Sequence, residues 1–205
     1  MGKLFLVRHG ESEWNILNKV QGQSNTNLTD KGREQARMTA KRLLDYKIDL
    51  IFSSDLNRAF ETAKIIGDLL DLKVNTFKEL REIKFGVWEG LTREEIINKY
   101  EKEHIIWMTE PHKLNLPEAE KLIDLQERLL KTVNNIIKNN KDKNILIVSH
   151  GAAIKSLILG ILGIDISFYN KFTISNASLS IIDYRDYSPV LRLFNDTNHL
   201  REVKD

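Results

Sequence analysis

The run Asn144-Ile-Leu-Ile-Val-Ser149, followed at once by His150-Gly151 and an apolar stretch over residues 151–162, decides the architecture. Four consecutive apolar residues between polar ones read as a strand buried on both faces, and the stretch behind them is long enough for a helix. The same grammar recurs outward from this point. Lys3-Leu-Phe-Leu-Val7 reads as a buried strand, Leu50-Ile-Phe-Ser-Ser54 as another, and residues 74–77 as a short one. Thr29 is placed to cap a helix reaching about Tyr46, with Ala36, Thr39, Ala40, Leu43 and Leu44 on its inner side. Residues 57–70 read as a helix with Ala59, Ala63, Ile66 and Leu70 inward. Residues 118–139 read as a long one with Leu122, Leu125, Leu129, Val133 and Ile136 on one stripe. Two final strands, 179–184 and 190–194, turn at 186–189 and pair antiparallel at an edge.

Strands alternating with helices predict an α/β fold, a three-layer α/β/α sandwich around a mainly parallel sheet. No repeat or linker divides residues 1–205, so a single domain is expected. Thr92-Arg-Glu-Glu95 has the spacing of a capping box and starts a helix. Residues 104–117, with Ile105-Ile-Trp-Met108 before prolines 111 and 117, read as an irregular cover. The segment from about 93 to 117 is therefore expected to be a small helical lid.

Composition narrows the function. The chain has 205 residues, 41% of them hydrophobic, enough for a core without crosslinks. It has no cysteine, which excludes disulfides, thiolate metal sites and cysteine nucleophiles and fits a cytoplasmic location. No apolar run reaches membrane-span length, and residues 1–8 are too short for a secretory core, so no membrane partner is expected. A net charge of +2, from 31 basic and 29 acidic residues, offers nucleic acid no bulk attraction. Anion binding has to come from local geometry.

Two strands end alike: Leu6-Val7 runs into Arg8-His9-Gly10, and Val148-Ser149 into His150-Gly151. Ligands of open α/β sheets bind beyond the carboxyl ends of strands, where glycine lets backbone approach them. One such His-Gly alone is ordinarily a turn; the pair is harder to dismiss. His104, His112 and His199 show no ligand spacing and read as surface or packing residues. Arg58 falls in the first turn of a helix, against the dipole, which suggests an anion bound there; a salt bridge to Asp55 or Glu61 is the plain alternative. In Leu80-Arg-Glu-Ile-Lys-Phe-Gly-Val-Trp-Glu-Gly-Leu91, Glu82 and Glu89 are candidate proton carriers, the alternative being a solvated loop.

Together these segments resemble the histidine phosphatase superfamily, in the branch related to phosphoglycerate mutases. The resemblance rests on Leu6-Val-Arg-His-Gly-Glu-Ser-Glu-Trp-Asn15, Gln21-Gly22, Ser53-Ser-Asp-Leu-Asn-Arg-Ala59 with Thr62-Ala63, Arg81-Glu82 with Phe85-Gly-Val-Trp-Glu-Gly90, and Val148-Ser-His-Gly151. Residues 195–200 look like the tail of phosphatase members. Asn25 and Asn27 stand where members often carry Asp and Pro, which puts loop rigidity in question, and residues 93–125 match no motif.

The resemblance implies His9 as nucleophile and Glu82 as proton donor. It implies that Arg8, Arg58 and His150 hold the phosphoryl group, with Asn15, Gln21, Gly22 and Gly151 completing its binding. No metal or other cofactor is implied. The expected activity is hydrolysis of a small phosphorylated metabolite through a phosphohistidine. The alternatives are a phosphoglycerate-type mutase and a non-catalytic phosphate-binding module. Phe85-Gly-Val-Trp-Glu-Gly-Leu-Thr92 has the form of phosphatases, and about 68 residues between Glu82 and His150 leave little for a closed cap. Sugar phosphates, phosphoglycerates, phosphoserine and α-ribazole phosphate are all open as substrates. Phe85, Trp88, Trp107 and Met108 suit an apolar leaving group or plain packing, and no pattern sets an oligomeric state.

Overall fold

A computed structural model of the chain describes residues 2–201. In chain order it runs β1 (Lys3–Arg8), α1 (Glu13–Ile16), α2 (Asp30–Leu43), β2 (Leu50–Ser54), α3 (Asn57–Leu70), β3 (Val74–Phe77), α4 (Arg93–Lys99) and α5 (Glu101–Thr109). The remainder is α6 (Leu122–Asn139), β4 (Ile145–Ser149), α7 (Gly151–Ile161), β5 (Leu179–Tyr184) and β6 (Pro189–Asp196), with short 3-10 turns between. The strands form one mixed sheet, ordered β3-β2-β4-β1-β5-β6. The first four are mutually parallel; β5 runs antiparallel to both β1 and β6. A tight turn at residues 185–188 returns β5 into β6, and such a connection can only make an antiparallel pair.

Helices cover both faces. Leu4, Leu6, Ile145 and Ile147 pack with α6 and α7, while Phe5, Val7, Leu146 and Val148 pack with α2 and α3. Two-sided burial explains why β1 and β4 are continuous apolar runs, with no polar alternation. It also sets up the site. β1 connects through α2 toward β2 on one face, and β4 connects through α7 toward β5 on the other. The crevice beyond the carboxyl ends of these neighbours is where such a sheet receives a ligand.

Local chemistry sets the element ends. Thr29 caps α2 by accepting the Gly32 N–H at 2.9 Å. Thr92 and Glu95 form a reciprocal capping box at α4. Asn25 and Asn27 tie their loop to α3: the Asn57 N–H donates to Asn25 Oδ1 at 2.8 Å and its side-chain amide to Asn27 Oδ1 at 3.2 Å. These bonds fasten the loop to the start of α3.

Some expectations need correction. Leu44 is 59% exposed rather than inward, because α2 ends at Leu43 and the chain turns away. Leu70 lies at the rim of its core, only partly buried. Residues 101–109 form a regular helix, α5, although irregular chain was expected from 104 onward. The long helix begins at Leu122, not 118, because Glu118 is left-handed (φ 60°) and the Glu120 N–H is spent on the Lys84 carbonyl at 2.8 Å. Residues 85–119, with Val20, build a third small core around Trp88, Ile96 and Leu116, which Phe85 and Trp107 join to the core on the α6 and α7 side.

Candidate active site

His9 lies just past β1, its N–H donating to the Ser149 carbonyl at 3.0 Å, which locks it to the end of β4. Its Nδ1 lies 2.7 Å from the Gly10 carbonyl. A carbonyl can only accept, so Nδ1 carries the proton and Nε2 keeps its lone pair. The ring is 2% exposed. Burial holds its pKa well below the usual histidine value, with Arg58 and then Arg8 adding to the shift, and the bond to Gly10 opposing it. The imidazole is therefore neutral at pH 7. Gly10 is required by packing: a Cβ there would lie 2.3 Å from the Gly32 carbonyl oxygen at the start of α2.

Arg8 and Arg58 flank this ring, and among the described residues neither has a carboxylate within ion-pair distance. Arg8 Nη1 donates to the Ile174 carbonyl at 2.6 Å; Arg58 donates to the carbonyls of Ser24 and Gly22, each at 2.8 Å. The expected alternative partners of Arg58 are engaged elsewhere, Asp55 in a two-pronged pair with Arg81 and Glu61 with Arg33. Arg58 is 1% exposed. Burial lowers it to about 10, partly offset by Glu82, so it stays charged at neutral pH.

His150 lies 5.2 Å from His9, centroid to centroid, and is fully buried. Its Nε2 sits 2.8 Å from Ser54 Oγ, which accepts the Leu56 N–H. The Ser54 hydroxyl still has its proton to give, and with that proton on His150 Nε2 the proton of His150 stands on Nδ1. Nδ1 finds no acceptor, and neither do Arg8 Nε and Arg58 Nε. Buried polar atoms without partners are uncommon, and here three converge on one constellation.

Two carboxylates of one loop have different surroundings. Glu82 reaches the amino end of α7, where Oε2 accepts the Ala152 N–H at 3.1 Å and Oε1 the Ala153 N–H at 2.9 Å. Oε1 also accepts the Ile83 N–H. Glu89 braces the opposite loop, accepting from the N–H groups of Gln23 and Phe85 and from the Ser24 hydroxyl. Gly22 (φ 50°) lies so close to it that a Cβ would stand 2.1 Å from Glu89 Oε1.

Asn15 and Gln21 are held by their oxygen ends. Asn15 Oδ1 accepts the Ser12 N–H at 3.0 Å, and Gln21 Oε1 accepts the Thr26 hydroxyl at 2.9 Å. The Ser12 hydroxyl lies 2.9 Å from both oxygens. Their NH2 ends remain to donate. Gly151 faces Arg8, where a Cβ would make ordinary contact at 3.5 Å with its guanidinium carbon.

The sequence reading overlooked the segment that clamps this end of the sheet. The Ala177 N–H, in left-handed backbone (φ 53°), donates to the carbonyls of Arg8 and His9. Asn176 Nδ2 reaches the carbonyls of His9 and Gly10 and Oδ1 of Asn15. Only the polar run Ser175-Asn-Ala-Ser178 before a strand could have signalled it. His199, read as a packing residue, donates from Nε2 to the Ala177 carbonyl at 3.0 Å and so supports the same clamp.

Phe85, Trp88, Trp107 and Met108 line a cavity of about 290 Å³ together with Val20. They also pack on one another, Phe85 edge-on to Trp107 at 5.2 Å and stacked on Trp88 at 6.2 Å. Among the described residues no group of three or more His, Asp or Glu could hold a metal ion, and no helix is long and apolar enough to cross a membrane.

Known proteins match over nearly the whole chain. "Phosphoserine phosphatase 1" of Hydrogenobacter thermophilus is 34% identical over 98% of this chain and 96% of its own. The "Probable phosphoglycerate mutase GpmB" of Yersinia enterocolitica is 36% identical over 98% and 95%. The crystal structure of a phosphoserine phosphatase mutant from Entamoeba histolytica, in complex with phosphoserine, superposes with a TM-score of 0.88 at 35% identity, covering 98% of this chain and all of that one. The model of the histidine phosphatase superfamily (branch 1) matches residues 4–197, which take in both strand-end histidines, both arginines and Glu82, and the chain belongs to that family.

Proposed function

We propose that this protein is a phosphomonoesterase that transfers the phosphoryl group of a small phosphorylated metabolite to His9 Nε2 and then to water. One observation carries the reading: a neutral imidazole with Nδ1 fixed and Nε2 unblocked, beside the buried guanidinium of Arg58 and the partly buried one of Arg8, neither ion-paired to a carboxylate among the described residues.

Nε2 attacks phosphorus as the bond to the leaving oxygen breaks, and Glu82 gives that oxygen a proton. Arg8, Arg58 and the Nδ1–H of His150 receive the equatorial oxygens, with the NH2 groups of Asn15 and Gln21 donating beside them. Gly22 holds Arg58 through its carbonyl, and Gly151 leaves room for the group at the start of α7. Glu82 then takes a proton from water, which attacks the phosphohistidine and releases phosphate. Residues 93–117, packed on the small core around Trp88, are the lid in this reading.

The relatives named phosphoserine phosphatase favour hydrolysis of a phosphorylated metabolite. The relative named a probable mutase keeps isomerisation as the second reading. Brief reaction with labelled aryl phosphate should leave an acid-labile, base-stable phosphoryl group on His9. Supplying 3-phosphoglycerate with catalytic 2,3-bisphosphoglycerate separates the two readings. Phosphate released faster than 2-phosphoglycerate supports the phosphatase; the reverse makes the protein a mutase.

A further inference from the structure

The helix that starts after His150 reads Gly151-Ala-Ala-Ile-Lys-Ser-Leu-Ile-Leu-Gly-Ile161, with Lys155 its one charged residue. Lys155 follows Gly151 by four residues, so the two share a face one turn apart. Position 151 looks onto the Arg8 guanidinium, and Lys155 therefore stands beside the phosphoryl cradle. Helical side chains lean toward the amino end, which brings its ammonium back toward Glu82 and Arg8. That ammonium lies 3.6 Å from the centroid of the Tyr169 ring and is partly buried.

Among the described residues Lys155 has no carboxylate within ion-pair distance. Glu82 acts on it only from beyond ion-pair distance, its oxygens accepting the amides of Ile83, Ala152 and Ala153. Burial lowers the Lys155 ammonium to about 8, with Glu82 opposing and Arg8 adding to the shift, so it remains charged at neutral pH. A desolvated cation without an acid of its own is costly unless an incoming group neutralises it. Tyr169 supplies a ring face, which steadies the charge without cancelling it.

We infer that Lys155 recognises a carboxylate on the leaving-group side of the substrate, so that the preferred substrates are phosphomonoesters of small hydroxy acids. This rests on the reading of His9, Arg8 and Arg58 as the phosphoryl site. The four residues from Gly151 to Lys155 span about 6 Å of helix, the scale of a carboxylate two or three carbons from the ester oxygen. The charge count is matched as well. One ammonium set against an aromatic ring balances a single carboxylate, whereas a second phosphate dianion would stay half neutralised. Trp107, 5.4 Å from Tyr169, extends the ring wall that a short carbon chain would lie against.

The test is steady-state kinetics of wild type, Lys155→Met and Lys155→Arg on matched esters. Phosphoserine is paired with phosphoethanolamine, and 3-phosphoglycerate with glycerol 3-phosphate; fructose 1,6-bisphosphate and p-nitrophenyl phosphate are added. Wild type should favour the carboxylate member of each pair. Lys155→Met should lower kcat/KM for those members about ten- to a hundredfold, mainly through KM, the loss of one charge-assisted contact. It should leave the carboxylate-free esters and p-nitrophenyl phosphate within about twofold, which also shows that the variant folds, and Lys155→Arg should keep most of the preference. Equal losses on both members of a pair, or no preference in wild type, overturn the inference. So does a Lys155-dependent preference for the bisphosphate over both acids. In each of those cases p-nitrophenyl phosphate is still hydrolysed through His9, and the phosphatase reading stands; no hydrolysis of any ester would sink both.

Discussion

The ends of β1 and β4 are written almost alike, strand then histidine then glycine, and they do opposite things with the same parts. His9 is held through Nδ1 by its own neighbour's carbonyl, which leaves Nε2 open. His150 is held through Nε2 by Ser54, which leaves Nδ1 without an acceptor. One ring offers a lone pair and the other a proton. The glycines differ too. Gly10 is jammed against the backbone of α2, whereas Gly151 faces the arginine side chain with space for a methyl group. Similar local sequence thus leaves a different ring nitrogen open according to what lies opposite the ring. For His9 that is the carbonyl of the next residue; for His150 it is a hydroxyl from β2.

The largest test of this asymmetry is removal of each ring. His9→Ala deletes the attacking atom and should cut turnover at least about ten-thousandfold. His150→Ala removes one donor to the transferring group and should cost about a hundred- to a thousandfold. Equal losses, or a trapped phosphoryl group surviving in His9→Ala, would erase the distinction between the two strand ends.

Next in size is the carboxylate set against each end. Glu82→Gln should slow hydrolysis of esters with poor leaving groups about a hundred- to ten-thousandfold, and much less for p-nitrophenyl phosphate, which needs little protonation. Glu89→Gln turns an NH2 group toward donors that now meet oxygen. It should cost about 1–3 kcal/mol in a denaturation experiment, with the smaller effect on turnover of poor leaving groups. Should Glu89→Gln prove the more damaging change with a poor leaving group, the proton carrier belongs to the Gly22–Ser24 side instead.

The two glycines sharpen the comparison at the level of stability. Gly10→Ala should lower stability by about 1–3 kcal/mol, because backbone rather than a flexible side chain has to move. Gly151→Ala, at the start of a helix, should be neutral or slightly stabilising, yet lower kcat/KM by crowding the phosphoryl group. A thermal melt of both variants decides this.

A last test, with pH, takes the two rings together. Both rings have pKa values well below that of an unfolded histidine, primarily through burial, so the native state binds fewer protons than the unfolded one in acid. Stability should be intact above about pH 6.5 and fall below it by roughly 1.4 kcal/mol per pH unit for each ring, until the folded values are reached. The His9→Asn, His150→Asn double variant should lose this part of the slope between about pH 6.5 and 5. An unchanged slope would mean that the rings take up protons without strain.

Much of this protein was written in its local sequence. Buried strands announce themselves as apolar runs, and Thr29 and Thr92 cap helices because a hydroxyl satisfies a free amide wherever the chain turns helical. Arg8, His9, Arg58, Glu82 and His150 were legible because motif spacing survives in a single chain. What sequence left open was set by contacts across long separations. The start of α6 depends on Lys84 holding Glu120, and the clamp on His9 comes from residues 176 and 177, far along the chain. Arg58 could as well have paired with Asp55 or Glu61 until Arg81 and Arg33 were seen to occupy them. The division between Glu82 and Glu89 had the same origin, since each carboxylate is defined by amides from a different part of the chain. Residue type and spacing determine which chemistry is available. Which atom stays open in Arg8, Arg58, Glu82 and His150 was decided by tertiary structure, because a hydrogen bond occupies one end of a group and their partners lie dozens of residues away.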